Sequence, residues 1–384
     1  MINNMLYKLF SLRGLSSMPM ATFLPFFAYW LIHFQQLSPA DTAWVVGAYI
    51  TTYRAGSIFF SSLVEKYNQN YLLMSALAIM TLVHWLFYLF NVNNIQSLMG
   101  WLCSTIMLGC SISITTTIIL GWVSQAKSTS TQTHWFAYLN IALNISAGAG
   151  PLLGAYALTH YPSLLPIFAS IFSVFAFIIS CFMPTTSTKN EQHTGGIFTL
   201  LKKRDFMQFV IMSSLSLPAY ACFYDLYPLF ASPVYSIETI GLFFLFCCIL
   251  IVFLQMPIRH WFEKTVSSNM SLTYANLILA IATLSLFFGN TGYAIIVIIG
   301  ISLLALAEMI FLPIYQAKTL EKTQEVHSAH AFAILMAMWG FSEALAAAIG
   351  TYFIARGYAG AVYFGSALFS VVVAIFFYVE HRRH

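Results

Sequence analysis

The chain has 384 residues, 60% of them hydrophobic and only 7% charged, with a formal net charge of +4. Soluble domains carry about 25% charged residues, so this composition excludes an ordinary soluble fold. The positive balance points to no nucleic-acid partner, because Lys and Arg gather in short segments between apolar blocks.

Those blocks number twelve and lie near 15–35, 41–64, 70–91, 96–123, 134–158, 162–183, 206–231, 237–257, 270–288, 292–317, 328–355 and 358–379. A bilayer core about 30 Å thick takes about 20 apolar residues as a helix. In hydrocarbon only helices and closed barrels satisfy every backbone polar group. Barrel strands would be about ten residues long and would alternate; these blocks are longer and do not. The expectation is an all-α integral membrane protein with twelve transmembrane helices in two pseudosymmetric six-helix bundles, leaving no room for a soluble catalytic domain. Residues 1–15 are too polar for a cleavable signal peptide, so none is expected.

In chain order, the first block carries Tyr29, an amphipathic group expected to face a central cavity together with Trp30 and His33. Arg54 lies near the middle of the second block. A charge at the bilayer centre costs about 2.5–3.5 kcal/mol on insertion scales, so Arg54 must face the protein interior or water. It either binds an anionic substrate group or closes a structural ion pair. Glu65 and Lys66 follow at the end of that block, and Glu263 and Lys264 stand at the equivalent place in the second half. His84 in the third block reads as a bystander. The fifth block carries Asn140 and Asn144, weaker candidates for the cavity, and a stripe of Ala142, Ser146, Gly150 and Gly154 around Pro151. Residues four apart share a helix face, and small residues let another helix approach closely.

The longest polar break, residues 185–205, reads as a cytoplasmic linker between an N-terminal bundle, 1–184, and a C-terminal bundle, 206–384. Its apolar run 197–201 before Lys202, Lys203 and Arg204 suggests a helix lying at the membrane surface. In the seventh block Tyr220, Tyr224 and Tyr227 recur at helical spacing with Asp225 one position off their face. An aromatic wall beside a carboxylate suits an amphipathic cation through cation–π attraction or a protonation site; the alternative is a structural Asp satisfied by Tyr hydroxyls. Glu308 in the tenth block and Glu343 in the eleventh, with Trp339 on its face, are further proton carriers by the same criterion. Ser342, Ala346 and Gly350 repeat the small-residue stripe in the eleventh block. All six cysteines lie inside blocks and form no disulfide framework. His327 with His330 and His381 with His384 lack a third ligand at useful spacing, so no metal is expected.

With the N-terminus placed inside, fourteen of the sixteen Lys and Arg, Arg13 among them, fall on the cytoplasmic side; Arg356 falls outside and Arg54 within a span. This positive-inside bias predicts both termini in the cytoplasm.

The stretch Ser61-Ser62-Leu63-Val64-Glu65-Lys66-Tyr67-Asn68-Gln69-Asn70 keeps the acid and first base of the pattern G-x-L-a-D-r-x-G-r-k, and loses both its glycines. The fifth block, Ser146-Ala147-Gly148-Ala149-Gly150-Pro151-Leu152-Leu153-Gly154-Ala155, follows g-x-x-x-G-P-x-x-G-G. Across nearly its whole length the chain therefore resembles the major facilitator superfamily, in its twelve-span drug:proton antiporter branch. The stretches Tyr224–Leu229, Leu254–Pro257 and Ala307–Pro313 also look like that branch. The resemblance implies two bundles that alternate access to a midplane site, a cytoplasmic gate at Glu65 and Lys66, and a bend at Pro151 that seals the cytoplasm-facing state. One departure stands out: Thr105 occupies the place in the fourth block where the family often has an arginine linked to proton transfer.

No phosphate-binding loop, zinc-protease helix or nucleophile elbow is present, which points to secondary transport without a cofactor. The expected activity is proton-coupled export of a small amphipathic molecule, a drug or a metabolite such as a siderophore. Protons would neutralise Asp225 or Glu343, with Glu308 a third choice. An importer of an organic anion or siderophore held by Arg54, and a non-transporting membrane receptor, are the alternatives. The partners expected are the substrate, protons and the lipid of a bacterial inner membrane, with the protein acting as a monomer.

Overall fold

The computed structural model describes residues 2–124, 129–183, 200–323 and 328–383. Among them the regular structure is helical, with no strand. In the first half α1 covers Ile2–His33, α2 Pro39–Lys66, α3 Gln69–Val92, α4 Leu98–Ser124, α5 Thr129–His160 and α6 Leu165–Ser180. In the second half α7 covers Arg204–Ser214, α8 Leu217–Tyr224, α9 Tyr227–Ala231, α10 Ile237–Thr265, α11 Ser268–Gly289, α12 Ala294–Thr323, α13 Ser328–Ala355 and α14 Ala359–Arg383. The linker's membrane-surface helix falls on 197–201, of which 197–199 lie outside the described residues.

Eleven spans among the described residues are long and apolar enough to cross a membrane. The second block forms a helix of 28 residues, α2, but is not one of the eleven. Its Thr, Ser and Tyr residues and Arg54 dilute its apolar character. The first span also differs from expectation. It runs from Leu6 to His33, so Arg13 lies within that helix and not in a loop. Position alone could not show this, because the apolar run before Arg13 is too short to stand out.

The seventh block is not one helix but three. Pro218 and Pro228 explain where it breaks. A proline inside a helix has no N–H and its ring clashes with the carbonyl four residues back. Those carbonyls belong to Ser214 and Tyr224, the last residues of α7 and α8. At the second break the Leu226 N–H turns to the Ala221 carbonyl at 3.1 Å. That releases the Cys222 carbonyl, which accepts from Tyr363 Oη of α14 at 3.0 Å. A freed backbone group is thus satisfied inside the protein, as a membrane interior demands.

The chain divides into two compact units, Met1–Glu191 with Ile237–Leu245, and Gln192–Ser236 with Phe246–His384. In the first unit α1 packs on α5 and α6, α2 on α4, and α3 on α4 and α6. Small residues make these seams. A Cβ on Gly56 of α2 would stand 2.7 Å from Ser113 Oγ of α4, and one on Gly150 of α5 would stand 2.5 Å from Ala21 Cβ of α1. Ser146 Oγ donates to the Gly14 carbonyl at 2.8 Å, so the α5 stripe is the seat of α1. An aromatic cluster fills the remaining space: Phe87 stacks on Phe23 at 5.6 Å and on Trp101 at 5.2 Å.

In the second unit α11 packs on α12 and α14, and α13 packs on α7, α8 and α14. The α13 stripe meets the break in the seventh span: a Cβ on Gly350 would run into the Leu226 side chain. Tyr315 anchors an aromatic cluster with Trp339 at 5.7 Å and Phe377 at 5.9 Å.

Candidate functional site

The second unit brings Glu308, Tyr224, Tyr220 and Cys247 together from α12, α8 and α10. Tyr224 Oη donates to Glu308 Oε2 at 2.9 Å and lies 3.4 Å from Cys247 Sγ. The Tyr220 and Tyr224 rings stack at 4.2 Å and 28°, the consequence of their four-residue spacing on α8. Glu308, Tyr220 and Tyr224 are each half-buried. The cluster therefore offers an aromatic face, a hydroxyl and a carboxylate to one ligand, and Glu308 can carry a proton.

The carboxylate bonded to this wall is Glu308, to which the linear spacing did not point. Asp225 lies in the turn after α8, is 3% exposed, and its N–H bonds the Ala221 carbonyl at 3.0 Å. The same break takes Tyr227 out of the stack; its ring sits 5.8 Å from Phe223 and 6.4 Å from Phe230. Glu343 is 2% exposed on α13. Trp339 is a packing residue more than an open wall: its Nε1 donates to Ser213 Oγ at 3.0 Å.

A polar triad that spacing did not reveal supports this region. Ser216 Oγ donates to Asn276 Oδ1 at 2.7 Å and lies 3.0 Å from Tyr315 Oη, while Asn276 Nδ2 donates to Tyr315 Oη at 3.1 Å. All three side chains are buried. The triad ties the first break of the seventh span to α11 and α12. The one signal in the sequence was three uncharged polar residues inside apolar blocks, which is too common to single them out.

The first unit carries cations. Arg54 is half-buried on α2 with its Cζ 5.0 Å from the Tyr53 ring centroid. Arg13 of α1 donates through Nη1 to Thr116 Oγ1 of α4 at 3.2 Å. It opens on a small cleft that Tyr53 also lines, so the two arginines flank one tyrosine. Thr105, where an arginine was missed, is buried and donates to the Trp101 carbonyl of its own helix at 2.9 Å. His84 is a core residue, 2.7 Å from the Met80 carbonyl and edge-on to Phe23. Trp30 is fully buried and donates to the Pro162 carbonyl at 2.9 Å, so it faces no cavity.

Tyr29 packs over His33 at 4.3 Å and remains half-buried. Asn140 is exposed and Asn144 half-buried on α5. Of the loop residues expected to gate, the side chains of Glu65, Lys66 and Glu263 lie outside the described residues, and Lys264 is exposed at the end of α10. Asn68 starts α3 by accepting from the Asn70 and Tyr71 N–H groups at 3.0 and 3.4 Å. In α5, Gly154 approaches the Thr22 carbonyl of α1 so closely that no Cβ fits, and Pro151 is buried beside it. No group of three His, Cys, Asp or Glu among the described residues is placed to hold a metal.

Solved structures of the same architecture are known at low sequence identity. A nucleoside transporter, NupG, superposes with a TM-score of 0.78 at 12% identity, over 98% of this chain and 98% of its own. A POT family transporter in complex with a thioalcohol-conjugated peptide gives 0.82 at 9% identity, over 98% and 96%. A POT family transporter in complex with 5-aminolevulinic acid gives 0.81 at 9% identity, over 97% and 95%. These likenesses are of fold alone. No curated protein sequence matches the chain. The profile of the Major Facilitator Superfamily matches residues 9–321, and the chain belongs to that superfamily.

Proposed function

We propose that this protein is a proton-coupled secondary transporter that exports a small amphipathic molecule. In this reading twelve spans form two six-helix bundles that alternate access across a bacterial inner membrane, the termini stay cytoplasmic, and a monomer suffices. The observation that carries it is the bond from Tyr224 to Glu308 beside the stacked Tyr220 ring. When ionised, Glu308 holds the Tyr224 hydroxyl and attracts a cationic or polarised group lying on the tyrosine face. When protonated, it loses that attraction and the cargo leaves. The antiporter-like sequence around Pro151 favours export. The seventh span supplies the moving part, since its two proline breaks replace a stiff rod by three short helices.

The test uses everted vesicles with an acidic interior and a dye reporting the pH gradient. A lipophilic aromatic cation should dissipate the gradient in wild type and fail to do so with Glu308→Gln. Asp225→Asn and Glu343→Gln, run in parallel, should keep at least part of the effect. Equal dissipation by wild type and Glu308→Gln would remove Glu308 from coupling. A second reading, import of an organic anion, is favoured by Arg13 and Arg54 in the first unit; uptake of labelled organic acids into intact cells distinguishes it from export.

A further inference from the structure

The second unit carries a groove between α13 and α14, with Pro218, at the first break of the seventh span, buried at its floor. Leu345, Ile349 and Phe353 recur every four residues on α13 and make one wall. Phe369 stands on the α14 side. Each of these four is more than a third exposed, so the groove opens on the outer surface, where a membrane helix meets lipid. Its volume is about 380 Å³. A Cβ on Gly365, in the α14 wall, would meet nothing within 4 Å, which confirms open space beside that glycine.

Such a groove stays neither empty nor wet. Its lining is mostly hydrocarbon; of its two hydroxyls, Ser366 already takes the Cys222 thiol at 3.4 Å, which leaves Ser342. An ordered water needs two to four polar partners, and a void forfeits dispersion contacts. The apolar matter at hand is the bilayer's own chains. The length agrees. Ser342 lies near the middle of the span Ala333–Ala355 and Phe353 near its end. Between them α13 rises about 17 Å at about 1.5 Å per residue. One leaflet's share of a hydrocarbon core about 30 Å thick is about 15 Å. The groove is as long as one acyl chain standing in one leaflet.

A cation stands beyond the Phe353 end. There α13 closes in a Schellman motif: the Tyr358 N–H donates to the Phe353 carbonyl and the Gly357 N–H to the Ile354 carbonyl, both at 2.9 Å, with Gly357 at a φ of 86°. This turn holds Arg356 exposed, its Cζ 4.4 Å from the Tyr352 ring centroid. No carboxylate pairs with it among the described residues. A guanidinium fork matches phosphate geometry, and the end of an apolar span is the depth of lipid headgroups. We propose that the groove binds one anionic phospholipid, its acyl chain between α13 and α14 and its phosphate on Arg356. None of the lining residues belongs to the Tyr224–Glu308 cluster, so the site stands whatever the chain transports.

Native mass spectrometry of the whole chain in detergent tests the site. The protein is stripped of lipid and given equal amounts of dioleoylphosphatidylglycerol and dioleoylphosphatidylcholine. Wild type should retain phosphatidylglycerol in preference. Arg356→Gln should cut the ratio of the two retained lipids about fivefold, the worth of one arginine at a membrane surface. Arg356 lies on an exposed turn, so this variant decides the matter even where Gly365→Leu does not fold. Gly365→Leu fills the open space and should lose one tightly held lipid of either kind. A ratio unmoved by Arg356→Gln, or a full lipid complement in folded Gly365→Leu, overturns the site. So does a wild-type dimer that Gly365→Leu takes apart, which would give the groove to a second copy. Displacement of the lipid by a lipophilic cation that the protein transports would give the groove to cargo and overturn it too.

Discussion

Of the candidate residues, the first unit holds two arginines, Arg13 and Arg54, whereas the second holds three carboxylates, Asp225, Glu308 and Glu343. Their packing differs in the same way. In the first unit α2 and α4 form a tight seam, with Gly56 against Ser113 and Gly109 against Thr52. The equivalent pair in the second unit, α10 and α12, shows no such seam among the described residues. Tyr224 links them instead, reaching Cys247 on one side and Glu308 on the other. The first unit therefore seats half-buried cations beside a close α2–α4 seam, and the second sets a broken helix beside an acid where the equivalent pair has no such seam. Related halves of one chain need not divide the work equally, and the half with side-chain links is the better place for a group whose protonation must change.

The sharpest way to break this comparison is a pair of glycine substitutions. A Cβ at Gly154 would overlap the Thr22 backbone carbonyl, which cannot yield, whereas one at Gly350 meets only the end of the Leu226 side chain. Gly154→Ala should destabilise the protein by about 3 kcal/mol, the upper range for overpacking. Gly350→Ala should cost roughly 1 kcal/mol, as a side chain shifts. Thermal unfolding in detergent reads both, and equal losses would mean that the two units are equally rigid.

Next in size is the polar triad. Asn276→Ala takes one partner from each of the Ser216 and Tyr315 hydroxyls, which keep only each other, and should cost about 1–2 kcal/mol for the two buried hydrogen bonds lost. An unchanged midpoint would show that the break at Leu215 and Ser216 needs no such tether.

Tyr363→Phe removes the donor to the Cys222 carbonyl and should cost about 1–2 kcal/mol, with faster amide exchange confined to α8 and α9. Pro228→Ala acts on the same break in the opposite sense. It restores an N–H, lets the helix close across Asp225, and should hold stability while slowing flux several-fold. Unaltered flux would mean that the second break is not a moving part. The smallest effect belongs to Gly365→Ala on α14, where a Cβ meets nothing within 4 Å; a midpoint shifted by more than a few tenths of a kcal/mol would contradict the open space at that position.

Much of this was legible in the order of residues. Block length and polarity set the number and place of nearly all helices, because a bilayer leaves no other way to satisfy the backbone. The stripe through Gly150 and Gly154 announced a close helix contact, since small side chains at four-residue spacing have few other uses there. Prolines 218 and 228 were in plain view, yet reading the seventh block as one apolar run hid the two breaks that they make. The tertiary structure decided what linear spacing could not. It turned Tyr224 toward Glu308, 84 residues away, and left Asp225 in the turn behind it. It moved Arg13 from a loop to a polar cleft shared with Tyr53 and Thr116. It made Trp30 and Trp339 packing residues through bonds to Pro162 and Ser213. The reason is that periodicity fixes which residues share a face of one helix, while the partner opposite that face comes from another helix whose rotation and depth are set by packing.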